Sequence, residues 1–168
     1  MKIRNVSACD AEQIANIRRQ DRVREELLAL TSERSDEVVL FINSLNEYDR
    51  AFVAEKNGNV IGAIFLLASC TEKRKHSATI EIMVDEKFHR QGIGSALLKK
   101  AIEDADKVLE IHRLELLVLT ENKTAISLYE KHGFVIEATR KKSAVKNGVY
   151  VDEFMMARIR QEAGLNAD

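Results

Sequence analysis

A chain of 168 residues that is 45% apolar is long enough to bury one sizeable core, and its 26 basic and 27 acidic side chains leave a formal net charge of −1. That balance supplies no basic field for nucleic acid. No apolar run reaches the roughly 20 residues that span a bilayer, so neither nucleic acid nor membrane is expected as a partner.

The chain opens on Met1-Lys2-Ile3-Arg4-Asn5-Val6, which reads as a strand and not as a secretory signal. Ser7 and Asp10 are cap candidates for a helix over 11–30. Its apolar positions Ile14, Ile17, Val23, Leu27, Leu28 and Leu30 suit one buried face, with a break near Gln20-Asp21. A second helix is predicted from Ser35, with Val38, Val39, Phe41, Ile42 and Leu45 inward. Residues 51–56 and 60–69 read as strands joined by Asn57-Gly58-Asn59, because Asn-Gly accepts the positive φ of a tight hairpin. A polar, basic loop over 71–77 leads to a strand over 78–84. After Gly92 comes a helix that buries Ile93, Leu97, Leu98, Ala101, Ile102 and Ala105. Residues 114–119 form an apolar strand, and Asn122 caps a helix that runs to His132 and stops at Gly133. A last hairpin spans 134–145 and 149–159 around Lys146-Asn147-Gly148. The order is β-α-α-β-β-β-α-β-α-β-β, an α+β fold around one mixed sheet. We expect one domain over 1–160 and a tail over 161–168.

Cys9 and Cys70 are far apart and form no Cys-x-x-Cys pair, and His76, His89, His112 and His132 show no ligand spacing. No metal is expected, and a reducing cytoplasm suits the chain best. The absence of proline excludes Pro-rich linkers.

The stretch that carries chemistry is Val84-Asp85-Glu86-Lys87-Phe88-His89-Arg90-Gln91-Gly92-Ile93-Gly94-Ser95-Ala96-Leu97-Leu98. A strand runs into a basic loop that ends in Gly92-x-Gly94 and opens into a helix. Close backbone approach at the glycines, unpaired N–H groups and the positive end of the helix dipole suit a phosphate. The dinucleotide fingerprint fails, because Leu97 stands where it needs Gly or Ala. The Walker loop fails as well, because Gly94 is followed by Ser95-Ala96. The phosphate carrier is therefore of neither the nicotinamide nor the triphosphate-loop type.

A second stretch follows one strand later: Asn122-Lys123-Thr124-Ala125-Ile126-Ser127-Leu128-Tyr129-Glu130-Lys131-His132-Gly133-Phe134. By itself it is a capped helix whose tyrosine could be plain core. Taken together, His89-Arg90-Gln91-Gly92-Ile93-Gly94 and Asn122-x-x-Ala125-x-x-Leu128-Tyr129-x-x-x-Gly133-Phe134 resemble the two cofactor motifs of the Gcn5-related N-acetyltransferase (GNAT) superfamily, in order and spacing. The element order resembles the GNAT acyl-CoA N-acyltransferase fold over nearly the whole chain. One departure is His89, where the superfamily often has Gln or Arg. The tail, Gly133 to Ala138 with Lys146 to Glu153, is similar to bacterial members that acetylate amino acids and polyamines.

The resemblance implies an enzyme, an acyltransferase with acetyl-coenzyme A as donor and a primary amine as acceptor. The pantetheine arm would lie between splayed strands and pair with main chain around Ile82, Met83 and Val84, where a bulge would aim an N–H at the thioester. The pyrophosphate would sit against His89, Arg90, Gln91, Gly92, Ile93, Gly94 and Ser95. Asn122, Ala125 and Tyr129 would touch the pantetheine side. Tyr129 is the candidate acid for the leaving thiolate, since a phenol with pKa near ~10 is protonated at neutral pH. Glu81, in an apolar strand, is the candidate base, directly or through water; Thr79 on the same face could hold that water. Glu81 could equally face solvent or pair with a basic residue. A covalent relay through Cys70 has no partner histidine placed by spacing. Arginines of the Arg18-to-Glu26 segment could clamp an amino-acid carboxylate, or form a solvated helix face. Glu25, Glu26, Glu33, Asp36 and Glu37 could instead receive a polyamine. A protein N-terminus or lysine is a third acceptor class, and a non-catalytic acetyl-coenzyme A sensor is the alternative outside enzymes. A homodimer through the final hairpin is plausible from its apolar strand edges.

Overall fold

The computed structural model describes residues 1–28 and 34–160. Leu30, Glu33 and the expected tail over 161–168 lie outside the described residues. The elements in chain order are β1 (Lys2–Asn5), α1 (Ala11–Arg18), α2 (Asp21–Glu26), α3 (Ser35–Ser44), β2 (Arg50–Lys56), β3 (Asn59–Ala68), β4 (Ser77–Val84), α4 (Ile93–Lys107), β5 (Arg113–Leu119), α5 (Lys123–Lys131), β6 (Val135–Lys146) and β7 (Val149–Ile159). The first helix breaks near Gln20-Asp21, as expected, into α1 and α2: Gln20 is extended with ψ 131° and is the N-cap of α2. Short 3-10 turns add Ala8–Asp10, Glu72–Arg74 and Glu86–Phe88.

All seven strands form one sheet in the order β1-β2-β3-β4-β5-β7-β6. Neighbours are antiparallel except β4 and β5, which run parallel. Asn57 and Asn147 take the left-handed conformation that their two hairpins need.

The alternation of β4 divides the core between the two faces. Ile80, Ile82 and Val84 face α4 and α5, where Leu97, Leu98, Ala101, Ile126, Tyr129 and Phe134 complete one cluster. Met83 faces the other way, toward Ile14, Ile17, Val23, Val38 and Phe65 under α1 to α3. Ser7 closes the chain entry with a capping box: its hydroxyl accepts from Cys9 N and its own N–H donates to Asp10. Arg4 bonds both oxygens of buried Asp10 at 2.8 Å and pins β1 to that turn.

α4 lies close on the sheet because β3 carries Gly62 beneath it. A Cβ there would stand 3.0 Å from the Met83 carbonyl oxygen, 3.2 Å from Leu97 Cδ1 and 3.3 Å from Ile93 Cγ2. The main-chain oxygen cannot rotate away, so Gly62→Ala is expected to cost about 1–3 kcal/mol by overpacking. Urea unfolding measures this; an unchanged midpoint would mean that β3 and α4 separate freely.

Candidate active site

β4 and β5 pair only over Ser77–Thr79 against Arg113–Glu115. Beyond that point the facing edges diverge, although each strand stays paired on its far side, β4 with β3 and β5 with β7. The divergence opens a cleft of about 870 Å³. Its walls are Ile82, Met83 and Val84 from β4 and Leu117 and Val118 from β5; the residues at the starts of α4 and α5 line it too. The β3–β4 register runs without interruption from Gly62↔Val84 to Ala68↔Ala78, so the bulge expected near Ile82 to Val84 is not there. The parallel neighbour's departure, not a bulge, leaves the β4 edge open to a ligand's hydrogen bonds.

One end of the cleft is the start of α4. Gly92 is its N-cap at φ +79°, brings no side chain to the helix end, and the first turn holds no acid. The first-turn N–H groups therefore lack intrahelical acceptors and open on the cleft with the positive end of the dipole. Arg90 at φ 60° turns the chain into that position. The two glycines serve different needs. Gly92 supplies the left-handed backbone. A Cβ on Gly94 would instead meet Leu128 Cδ2 at 3.2 Å, so Gly94 lets α4 approach α5.

His89, Arg90, Gly92, Ile93, Gly94, Ser95, Asn122, Ala125 and Tyr129 all line the cleft, as the sequence led us to expect. Gln91 does not; its amide turns back to the Lys87 carbonyl at 3.2 Å. His89 Nε2 contacts the Val84 carbonyl at 2.9 Å, which folds the loop against the end of β4. Asn122 caps α5 by accepting from Ala125 N at 3.0 Å.

Tyr129 is packed into the core and also lines the cleft. It is 7% exposed, and its ring lies 5.9 Å from that of Phe134. Burial pushes its phenol pKa up, so the group stays protonated through the neutral range.

Glu81 does not line the cleft. It points to the α1–α3 face, with one carboxylate oxygen buried and without a hydrogen-bond partner. Burial pushes its pKa up, and the charge of buried Arg18 pulls it part of the way back. Arg18 also stacks over Phe65, 5.9 Å from the ring centroid. Of the two expected alternatives, the basic neighbour is found, and the side chain is half-buried rather than on an open polar face. Thr79, by contrast, is exposed.

The sequence did not single out the apolar walls Val23, Leu27, Phe88, Leu117, Val118 and Leu128, or Thr124. The strand and helix periodicity marked several of them as inward, but the splay that exposes them is a tertiary event. At the other end of the cleft stand Arg22, Glu25 and Glu26 from α2. The tip of the last hairpin reaches this end: Lys146 Nζ bonds Glu26 at 2.9 Å and Glu121 at 2.8 Å. These two hydrogen bonds, Glu121 first, push the Lys146 pKa up and keep its charge. Among the described residues no cluster of side chains could hold a metal ion, and no helix is long and apolar enough to cross a membrane.

Residues 12–134 match the model of the acetyltransferase (GNAT) family. This chain belongs to that family. An L-amino acid N-acetyltransferase of Escherichia coli is 40% identical over 111 residues, 66% of this chain and 68% of that protein. An N-alpha-acetyltransferase of Sulfurisphaera tokodaii is 33% identical over 142 residues, 79% of each chain. The crystal structure of a GNAT-family acetyltransferase from Streptococcus pneumoniae superposes with a TM-score of 0.83 at 27% identity, over 94% of this chain and 98% of that one. The protein is thus an acetyl-coenzyme A-dependent N-acetyltransferase. The uncapped start of α4 fits the donor's pyrophosphate, and the open β4 edge fits its amide-bearing arm.

Two consequences can be measured at the level of the site. Gly92→Asp places a carboxylate at the N-terminus of α4, the expected pyrophosphate site, and strains a left-handed position; coenzyme A binding by calorimetry is expected to vanish, and retained affinity would move the phosphate site elsewhere. A carboxyl-detected NMR titration should place Glu81 above the ordinary carboxylate range. Arg18→Met should move its midpoint to still higher pH, because the stabilising cation is gone. A midpoint that stays put would mean the two charges do not interact.

Proposed function

We propose that the enzyme acetylates the α-amine of a free amino acid. The observation that carries this reading is Arg22, which among the arginines of residues 18–24 is the one that lines the cleft. Arg18 is buried, Arg19 bonds Glu12 at 2.9 Å, and Arg24 bonds Asp21 at 3.0 Å. A guanidinium fork matches a carboxylate, and a free amino acid offers one next to its amine. The similarity to the Escherichia coli L-amino acid N-acetyltransferase supports the same choice.

In this reading Glu81 takes the proton of the acceptor ammonium through a water, since its carboxylate is covered from the cleft. Burial raises its pKa, which makes it a stronger base than an ordinary carboxylate. The freed amine nitrogen attacks the thioester carbon, the new C–N bond forms, and the C–S bond breaks. Tyr129 donates its proton to the departing sulfur. The nitrogen gives up its second proton to water, and water returns a proton to Tyr129 after it has served the sulfur. Arg22 aligns the amine, and the apolar walls exclude water from the thioester.

Among the described residues the lining there offers a polyamine Glu25 and Glu26, and Glu26 already serves Lys146. Asp36 is held by Arg34 at 3.0 Å, which leaves few carboxylates for several ammonium groups. A peptide N-terminus, the third acceptor class, carries no carboxylate next to its amine. We further propose a homodimer through the last hairpin, whose Val135, Ile136, Val145, Val149 and Tyr150 are exposed. The exposed free thiols of Cys9 and Cys70 suit a reducing cytoplasm as the place of action.

Thiol release from acetyl-coenzyme A against free amino acids, amino-acid amides, spermidine and short peptides tests the reading. Turnover is expected with free amino acids, and Arg22→Gln should raise the acceptor KM about tenfold or more while leaving the donor KM unchanged. Equal turnover of the amides would overturn the carboxylate clamp, and donor binding without release would mark a sensor. Tyr129→Phe should lower kcat about 10²-fold or more with both KM values kept; unchanged kcat would remove Tyr129 from the mechanism.

A further inference from the structure

Ser95 is the third residue of α4 and lines the phosphate end of the cleft. Its hydroxyl oxygen lies 2.7 Å from Nε2 of His132, the residue that closes the C-terminus of α5. This contact joins the two motif helices, 37 residues apart in sequence. It is anchored at both ends: the His132 N–H donates to the Tyr129 carbonyl at 2.9 Å, and Ser95 sits in a helical turn. Burial pushes the imidazole pKa down, and Lys131 on its own helix and Lys99 on α4 push it the same way. A third cation stands nearby on β7, but Arg158 is paired with Asp106 at 2.9 and 2.8 Å.

A neutral imidazole holds one proton, and its tautomer decides what Ser95 can do. If Nε2 were the acceptor, it would take the serine proton, and bare hydroxyl lone pairs would face the bound anion. If Nε2 carries the proton, it donates to Ser95 Oγ, and the serine proton is free to point into the cleft. A pyrophosphate beside the α4 N-terminus selects the second arrangement.

We propose that His132 is a positioning residue for the donor: it donates from Nε2 to Ser95 Oγ and so directs the serine hydroxyl to the pyrophosphate. The inference rests on the acetyl-coenzyme A reading of this cleft. It has a second consequence. A bound anion favours the imidazolium, which also donates from Nε2, so donor binding takes up a proton as the pH falls through the histidine range. Affinity therefore rises toward acid and levels off once the free protein is protonated. The cations on α4 and α5 make the free imidazole shed its proton, and the incoming charge reverses their effect.

The test is calorimetric titration with coenzyme A and, separately, with pantetheine, which lacks the pyrophosphate. His132→Leu is expected to weaken coenzyme A about tenfold and to leave pantetheine unchanged. His132→Gln keeps a donor at similar reach and should bind near wild type, but without proton uptake when buffers of different ionisation enthalpy are compared near pH 6. In a Ser95→Ala background His132→Leu should cost nothing more. Coenzyme A affinity within twofold of wild type in His132→Leu would overturn the inference. So would an equal loss for pantetheine, or a full additional loss in the Ser95→Ala background. Wild-type protein that does not bind coenzyme A would instead overturn the donor reading itself. His132→Gln and Ser95→Ala keep the test open should His132→Leu fail to fold, which circular dichroism reports.

Discussion

The site depends on one interrupted pairing. Two parallel strands share hydrogen bonds over only three residues each, Ser77–Thr79 with Arg113–Glu115, and then part. Interrupting a ladder would ordinarily leave backbone polar groups buried without partners. Here the cost is contained, because the inner edges face a cleft while the outer edges of both strands stay fully paired. An extended amide-bearing arm entering that cleft can take up the hydrogen bonds that the neighbouring strand does not, which is strand addition inside a sheet rather than at its rim. The same divergence brings the starts of α4 and α5 to one opening. The phosphate end, the apolar throat and Tyr129 thus share a single geometric cause.

The charges are distributed along the cleft by role. At the phosphate end the main chain supplies the field through unpaired N–H groups and a helix dipole, so the site tolerates His89 in a slot where the family often has another residue. Where we propose the acceptor binds, the charges are side chains: Arg22, Glu25 and Glu26 on a short helix, with Lys146 reaching across from the hairpin tip. That bridge joins α2 to Glu121, next to the α5 cap, and so ties acceptor and donor halves together. On the opposite face of β4, buried Arg18 stands beside half-buried Glu81, where desolvation works against both charges and each partly restores the other. Such a pair contributes little net stability, but it sets a carboxylate pKa that bulk water could not.

Much of this was legible in the chain itself. Each helix and strand came from apolar spacing, and the stops at Asn57-Gly58, Gly133 and Asn147-Gly148 from residues that accept positive φ. The two motifs named most of the residues that line the cleft at the starts of α4 and α5, because backbone geometry there is dictated locally by Gly92 and by the Asn122 cap. Gln91 was the exception within the loop, since its amide bonds a carbonyl one turn back. The break expected near Gln20-Asp21 is found at Gln20, whose side chain accepts from Glu86 N in the loop before α4 at 2.9 Å. No helical pattern could register that distant partner.

The sequence by itself determined the fold class, the donor motifs and the identity of Tyr129, because these rest on periodicity and on backbone conformations that a few neighbouring residues set. Only the tertiary structure decided the face that Glu81 takes, the burial of Arg18 beside it, the placement of Arg22 in the cleft and the contact of His132 with Ser95. The physical reason is common to all four. Each depends on which side chains meet from elements remote in the chain, and such meetings follow from how helices lie on a sheet that has come apart along one seam.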